Sequence, residues 1–123
     1  MSVDYYETIG FELPWICYVV SFKGEMVGNA AFKGKPKSGI VEIAYTTFPE
    51  FRHRGMGTLI ANELVRIAIA EDPTISIKAR TLPERSFSTR ILEKSDFALE
   101  NVTEDPDDGL VWEWRYVGQK KGQ

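Results

Sequence analysis

The residues best suited to chemistry are those of the run 52–57, which reads Arg-His-Arg-Gly-Met-Gly. The run follows the apolar segment 40–48 and precedes a stretch in which apolar residues recur at helical spacing. Glycine lets a phosphate approach the backbone without interference from a Cβ, and the first N–H groups of a helix attract anions with the positive end of the helix dipole. Arg52 and Arg54 add positive charge. The run therefore predicts a site for a diphosphate-bearing cofactor.

Glu42 is a second candidate, because it is the charged exception within the segment 40–48. On a central strand with apolar neighbours, loss of water would disfavour the ionised carboxylate and make it a better proton acceptor near neutral pH, as a general base requires. A buried glutamate held by a nearby Arg, Lys or backbone group is an equally weighted interpretation. His53, the single histidine, is expected to lie outward beside the phosphates rather than to act as a base.

Composition limits the functions that these residues can serve. The 123 residues, 43% hydrophobic and 27% charged, predict one domain spanning 1–123. A net charge of −3 argues against a nucleic-acid partner, and the single cysteine, Cys17, excludes an intrachain disulfide and a cysteine metal cluster. No metal site is expected. The longest apolar run is about half of the ~20 residues that a membrane helix needs, and the first residues lack a basic signal region. A cytoplasmic protein without membrane contact is therefore expected.

The hydrophobic pattern predicts the elements that position these residues. Segment 40–48 is apolar on both alternating faces, which is typical of a central strand covered on both sides. The strand, helix, strand order that begins there predicts a parallel pair with a right-handed crossover. Other strands are predicted at 15–22, 26–32, 74–79, 97–102 and 110–117 and helices at 58–71 and 84–94, whereas 1–12 are expected to be an irregular lead-in.

Two further groups of residues have structural interpretations. Trp112, Trp114 and Tyr116 alternate along the last strand and share one face of it, which we predict to be core. The three lysines of the loop 33–39 most simply form a solvated surface.

These features together resemble a known family. A strand with an internal Glu42, the pattern R-x-x-G-x-G at 52–57, an amphipathic helix and the later strand, helix and strand pair are similar to the GCN5-related N-acetyltransferases (GNAT), which bind acetyl-coenzyme A. Segments 42–58 and 88–97 look most like the branch that includes ribosomal-protein N-terminal acetyltransferases. The resemblance covers about 15–117. It implies an α+β fold: a mixed, mostly antiparallel sheet of about six strands with one parallel pair, and two main helices.

The resemblance also implies the cofactor site. In this family main-chain N–H groups hold the coenzyme A diphosphate, and a strand edge pairs with the amides of the pantetheine arm as a β-ladder would. The implied diphosphate residues are Arg52, Arg54, Gly55, Met56, Gly57 and Thr58, and the implied pantetheine residues are Tyr45, Thr46 and Thr47.

The implied reaction is direct attack of an amine on the acetyl thioester, without a covalent enzyme intermediate. Glu42 matches the position where many family members carry their base. Ser88 matches a serine that some members use as the acid for the leaving thiolate, although a serine at the start of a helix more commonly caps it. The implied activity is acetyl transfer to an amine, with a protein N-terminus among the acceptors. The alternative is a non-catalytic acyl-coenzyme A binding or regulatory module with a degraded acceptor site.

The start of the chain departs from the family pattern. Family members usually have a first strand and one or two helices before the hairpin that begins here at Trp15, and these help to build the acceptor pocket. Only about a dozen residues precede the hairpin in this sequence, so the chain is expected to lack that strand and those helices. Their lack predicts apolar surface on one face of the sheet, covered by a second copy, and hence a homodimer. Asp96 stands where a glycine is usual, which is tolerable because Asp can adopt left-handed backbone at a helix end.

Overall fold

The computed structural model describes residues 2–5, 15, 17–48 and 55–118, apart from the side chains of 2–5, 17 and 22. These residues form seven strands and two helices. The strands are β1 (Ser2–Tyr5), β2 (Cys17–Phe22), β3 (Glu25–Phe32), β4 (Ile40–Thr47), β5 (Ser76–Thr81), β6 (Phe97–Asp105) and β7 (Gly109–Tyr116), and the helices are α1 (Met56–Glu71) and α2 (Phe87–Lys94). Neither of these helices has the length and apolar character needed to cross a bilayer.

The strands form one mixed sheet in the order β1-β2-β3-β4-β5-β7-β6. Among the described strands, neighbours are antiparallel except for β4 and β5, which are parallel and are connected through α1. The predicted α+β fold, with its parallel pair and two main helices, is confirmed.

The segment expected to be an irregular lead-in contains β1. This strand pairs antiparallel with β2 at the edge of the sheet, with Val3 opposite Val20 and Tyr5 opposite Tyr18. Four residues are too few to show a period in the sequence, and their backbone groups pair with β2 rather than with local partners. The sheet thus has one strand more than the sequence predicted, and the expectation that a strand before the β2–β3 hairpin is lacking is wrong.

Side-chain hydrogen bonds set the start of two elements. The Ser86 hydroxyl accepts a hydrogen bond from Thr89 N at 3.4 Å, and the Thr89 hydroxyl accepts one from Ser86 N at 2.9 Å. This capping box makes α2 begin later than the sequence predicted. The Asp72 carboxylate accepts a hydrogen bond from Thr74 N at 2.9 Å, and the resulting turn delays the start of β5.

One face of the sheet packs against both helices. Trp114, 1% exposed, lies in the same core as Ile60 of α1 and Leu92 of α2. Burial of such apolar side chains is the main favourable term in folding. Trp112 and Tyr116 pack partly buried against this core, so the predicted core face of the last strand is confirmed.

The opposite face of the sheet is charged. Neighbouring strands place on it Glu42, Lys78, Arg80, Glu113 and Arg115. On the same face of β4, Ala44 and Thr46 are exposed. The expectations that β4 is covered on both sides and that the open face is apolar are therefore wrong for the described residues, because the charges come from strands distant in the sequence. A homodimer stays a prediction.

Asp96 lies just after α2 with φ of 66°, the left-handed conformation that the sequence predicted for it. Its carbonyl accepts a hydrogen bond from Val117 N at 2.8 Å. This bond joins the end of α2 to the end of β7.

Candidate functional site

β4 and β5 separate at their carboxyl ends and leave a gap in the sheet. Their register ends with Ile43 opposite Ala79, although β4 continues to Thr47 and β5 to Thr81. Parallel strands that part in this way open a crevice at the end where ligands bind most often in such sheets.

Backbone groups of β4 alternate between its two neighbours. The Glu42 carbonyl accepts a hydrogen bond from Lys33 N at 2.8 Å on the β3 side. Even-numbered residues of β4 therefore face β3, and Tyr45 and Thr47 direct their N–H and C=O groups toward the gap. These are the backbone groups that an extended amide-bearing ligand would pair with.

The gap adjoins a cavity of about 140 Å³ at the start of α2. Its lining residues are Tyr45, Thr46, Thr47, Phe87 and Ser88. The structure thus brings Ser88 together with the three residues that the sequence associated with the pantetheine arm.

The start of α1 is open to a ligand. Gly55 precedes the helix with φ of 78° in the left-handed region, and none of the described side chains caps the helix. The first helical bond runs from Leu59 N to the Gly55 carbonyl at 3.1 Å, and within the described chain no residue accepts a hydrogen bond from the amides of 56–58. Orphan amides of this kind attract anions.

Two cations from α2 stand beside these amides. Gly55, Gly57 and Thr58 share a cavity of about 340 Å³ with Phe87, Arg90, Ile91 and Lys94. Sequence reasoning missed Arg90 and Lys94, although Phe87, Arg90, Ile91 and Lys94 recur at positions i, i+3, i+4 and i+7 and so share one helix face. The described lining contains no carboxylate, so the cavity is electropositive.

Gly57 has a packing role as well. A Cβ at this position would lie 2.2 Å from Ile91 Cδ1 and 3.2 Å from the Thr47 hydroxyl oxygen. Glycine therefore lets α1 approach α2 and the end of β4 closely. The sequence indicated a close approach of a phosphate here, and the structure adds a close approach of the protein itself.

Ser88 does not cap α2, because that position belongs to Ser86. Ser88 is the second residue of the helix and accepts, through its backbone carbonyl, a hydrogen bond from the Tyr45 phenol at 3.4 Å. It also lines a neighbouring cavity of about 400 Å³ that includes Glu84 and Asp108. Ser88 thus lies between the β4–β5 gap and this larger cavity.

Glu42 lies on the charged face, 14% exposed, with its carboxylate 3.3 Å from Lys33 Nζ. Its register partner in β5 is Lys78. The premise that it stands alone among apolar neighbours is therefore wrong, and the interpretation as a glutamate paired with a cation describes its surroundings. It is not among the described residues that line the two cavities at the gap. Arg52, His53 and Arg54 lie outside the described residues.

Known proteins resemble this chain in their three-dimensional structure rather than in their sequence. No protein-family model and no curated protein matches the chain. Among solved structures, aminoglycoside acetyltransferase AAC(6')-Ib in complex with coenzyme A matches with a TM-score of 0.71 at 21% identity, over 84% of this chain and 66% of that chain. A GNAT-family acetyltransferase from Bacillus anthracis matches with a TM-score of 0.70 at 19% identity, over 85% and 66%.

The chain has the GNAT fold. A ribosomal-protein-S5-alanine acetyltransferase from Vibrio fischeri also matches, with a TM-score of 0.72 at 14% identity, over 82% of this chain and 60% of that chain. The chain thus spans two thirds or less of the length of these neighbours. Since their TM-scores are nearly equal, the likeness does not single out the ribosomal-protein branch of the GNAT fold.

Proposed function

We propose that the protein is an acetyl-coenzyme A-dependent N-acetyltransferase that transfers the acetyl group directly to an amine. The observation that carries the proposal is the convergence of the β4–β5 gap with the open start of α1, flanked by Arg90 and Lys94. A diphosphate fits the amides and cations, and an amide-bearing arm fits the gap. The GNAT fold of AAC(6')-Ib, which is solved with coenzyme A, supports the same assignment.

Each part of the cofactor has a proposed set of protein groups. The amides of 56–58 and the side chains of Arg90 and Lys94 hold the diphosphate, with Arg52 and Arg54 as further cations. The backbone groups of Tyr45 and Thr47 pair with the pantetheine amides. One of these N–H groups, directed at the thioester oxygen, stabilises negative charge that develops there.

The reaction replaces the C–S bond of the acetyl thioester with a C–N bond to the amine. The nitrogen of a neutral amine bonds to the acetyl carbon, the C–S bond breaks, the nitrogen loses a proton and the thiolate gains one. We propose Glu42 as the acceptor of the amine proton and Ser88, at the gap, as the donor to the thiolate. An α-amine, with a pKa near ~8, needs less assistance than a lysine side chain at ~10.4.

Calorimetric titration with acetyl-coenzyme A tests the cofactor site. Gly55→Glu places a carboxylate at the start of α1, and we expect affinity to fall about tenfold or more through repulsion of the diphosphate. Gly39→Glu is the matched control, because Gly39 has φ of 76°, no atom within 4 Å of an added Cβ, and a place at the opposite end of β4. Equal affinity in both variants would contradict the proposed site.

The cations of α2 provide a second test of the same site. Arg90→Gln and Lys94→Gln should each weaken acetyl-coenzyme A binding about three- to tenfold and reduce its dependence on salt, since each removes one charge next to the diphosphate. Arg66→Gln is the control on α1, because Arg66 pairs with Glu63 rather than lining the cavity. Unchanged salt dependence in both cavity variants would exclude the two residues from diphosphate binding.

A non-catalytic acyl-coenzyme A binding module is the second candidate, and the Glu42–Lys33 ion pair favours it because a paired carboxylate is occupied. Thiol release from acetyl-coenzyme A with a panel of amines distinguishes the two functions. An enzyme turns over at least one amine and loses most activity in Glu42→Gln, with acetyl-coenzyme A affinity unchanged. Binding without turnover on a broad panel would establish the module instead.

A further inference from the structure

Two cavities meet at Phe87 and give the proposed cofactor site a direction. The cavity of about 140 Å³ at the gap includes Phe87 and Ser88. The cavity of about 340 Å³ at the start of α1 includes Phe87 again, with Arg90 and Lys94 from later in the same helix. An α-helix rises about 1.5 Å per residue, so Lys94 lies about 10 Å further along α2 than Phe87. The site therefore runs from the gap along α2 toward the carboxyl end of that helix.

The packing of Gly57 fixes where the free amides lie along this path. A Cβ on Gly57 would come 2.2 Å from Ile91 Cδ1, so the start of α1 lies against the side chain of Ile91. Arg90 directly precedes Ile91, whereas Lys94 lies about one turn of helix farther from the gap than Arg90. Side chains on a helix share the same lean toward its amino terminus, which keeps this order. Arg90 therefore stands beside the amides, and Lys94 stands beyond them.

No carboxylate neutralises these two cations within the described chain. The ion pairs found there include neither Arg90 nor Lys94. Glu93, the sequence neighbour of Lys94, pairs instead with Arg85 at 2.8 Å. Asp96, two residues farther on, is not among the residues that line the cavity. Both positive charges are therefore available to an anionic ligand.

Coenzyme A carries its anionic groups in an order that matches this path. The pantetheine arm leads to the diphosphate, and the ribose beyond the diphosphate carries a phosphate on its 3′ oxygen. That phosphate is a monoester with a charge of roughly −1.5 to −2 at pH 7, whereas each phosphate of the diphosphate carries a single charge. We propose that Lys94, besides its contribution at the diphosphate, binds the 3′-phosphate and makes the protein select acetyl-coenzyme A over its 3′-dephospho form. The inference rests on the proposed acetyltransferase function and names the residue that sets its cofactor specificity.

Lys94 also has a structural role to be separated from this one. It lies in the last turn of α2, where a cation stabilises the helix by interacting with the negative end of the helix dipole. A role confined to the helix would lower the stability of Lys94→Gln without changing the choice between the two cofactor forms. The ratio of the two affinities, rather than either affinity alone, therefore decides between the roles.

Calorimetric titration with acetyl-coenzyme A and with 3′-dephospho-acetyl-coenzyme A measures this ratio. We expect the wild type to bind the 3′-phosphorylated form about five- to tenfold more tightly. In Lys94→Gln the ratio should approach one, whereas Lys94→Arg keeps the charge and should keep most of the preference. Arg90→Gln should weaken both forms by a similar factor and leave the ratio unchanged, because both forms contain the diphosphate beside Arg90.

Lys37→Gln is the matched control, because Lys37 is exposed and lies before β4, at the end of that strand opposite the site. It removes the same charge from the protein and should leave the ratio unchanged. Equal affinity of the wild type for the two forms, or an unchanged ratio in Lys94→Gln, would overturn the proposal. An equal fall of the ratio in Arg90→Gln or Lys37→Gln would also overturn it, since the preference would then follow overall charge.

The same titrations separate the two levels of inference. If the wild type binds both forms with equal affinity, the role of Lys94 is wrong and the cofactor site stands. If the wild type binds neither form, the proposed function itself fails, and the role of Lys94 fails with it.

Discussion

The phenol of Tyr45 donates a hydrogen bond to the backbone carbonyl of Ser88, with 3.4 Å between the two oxygens. The bond joins the end of β4 to the first turn of α2, and both residues line the 140 Å³ cavity at the gap. Burial raises the pKa of Tyr45, because loss of water disfavours the phenolate. This wall of the proposed cofactor site therefore stays neutral into the alkaline range.

Tyr45→Phe removes this hydrogen bond and keeps the ring. At neutral pH we expect the free energy of unfolding to fall by about 1 kcal/mol or less, since the bond is long. A raised pKa in the folded state means that the contribution of the phenol is complete below the unfolded pKa of ~10 and is lost as the pH rises above it. The stability difference between wild type and variant should therefore shrink between about pH 8 and about pH 11.

Urea unfolding at several pH values measures this difference. Tyr116→Phe is the control on β7 and tests whether the effect belongs to tyrosine loss in general. If the difference in free energy of unfolding between wild type and Tyr45→Phe stays constant or grows with pH, the raised pKa of Tyr45 in the folded state is contradicted.

The capping box predicts unequal effects of two serines in the same turn. Ser86→Ala should lower the free energy of unfolding by about 1 kcal/mol, because the Thr89 amide loses its acceptor at the start of α2. Ser88→Ala should cost less stability and should instead reduce acetyl transfer if Ser88 is the proton donor. Chemical denaturation and thiol release on both variants make the comparison. A larger stability loss in Ser88→Ala would move the cap to that residue.

Gly28 and Gly57 each let two elements of the fold pack closely against each other. A Cβ on Gly28 would lie 2.1 Å from the Thr46 backbone carbonyl oxygen, whereas a Cβ on Gly57 would lie 2.2 Å from the tip of the Ile91 side chain. A side-chain tip can rotate away and a strand backbone cannot, so Gly28→Ala should destabilise more than Gly57→Ala, which should cost about 1–3 kcal/mol. Thermal unfolding ranks the two variants.

A double variant isolates the second contact. Ile91→Val shortens the clashing side chain, so Gly57→Ala should cost about 1 kcal/mol less in that background than in the wild type. Strict additivity of the two substitutions would show that the Gly57–Ile91 contact does not limit the approach of α1 to α2.

The lowered pKa of the Asp105 carboxyl leads us to expect a loss of stability in acid. Its carboxylate accepts hydrogen bonds from the amides of Asp107 at 2.9 Å and Asp108 at 3.3 Å, and Arg80 pairs with it at 3.1 Å. The Asp107 bond first, and then the Arg80 and Asp108 bonds, lower its pKa, although partial loss of water opposes them. A lowered pKa in the folded state contributes stability above the unfolded value of ~3.9, and this contribution is lost as the pH falls below it.

Thermal unfolding of wild type and Asp105→Asn from neutral pH to about pH 3 checks this sign. The advantage of the wild type should be constant above about pH 4 and should shrink below it. Asp107→Asn, which leaves the donating backbone amide in place, is the control. If the stability advantage of the wild type over Asp105→Asn grows in acid, the lowered pKa of Asp105 in the folded state is contradicted.

Short sequence patterns correctly predicted much of the fold. Strand β4, the left-handed Gly55 before α1, helix α1, the left-handed Asp96 and the core face of β7 are each set by a few residues close in the sequence. Period, glycine and turn chemistry are local properties, so they can be read without the fold. The observed ends of an element differ from the predicted ones where a side-chain hydrogen bond, such as that of Ser86 at the start of α2, sets the boundary.

The surroundings of Glu42 show where such reading ends. Its partner Lys33 and its register neighbour Lys78 lie on different elements from β4, and the sequence pattern around residue 42 contains neither. Strand pairing across the sheet, not the local alternation of apolar residues, decided that this glutamate stands among cations.

By itself the sequence determined the order and type of the main elements and the glycine-led start of α1, because backbone conformation at these points follows from the residues present. Only the tertiary structure decided which charges meet there. Arg90 and Lys94 reach the start of α1 through helix packing that Gly57 allows, and Glu42 meets Lys78 because β4 and β5 lie side by side. Charge acts through space over a few ångströms, and residues at that distance are brought together by the fold rather than by neighbourhood in the chain.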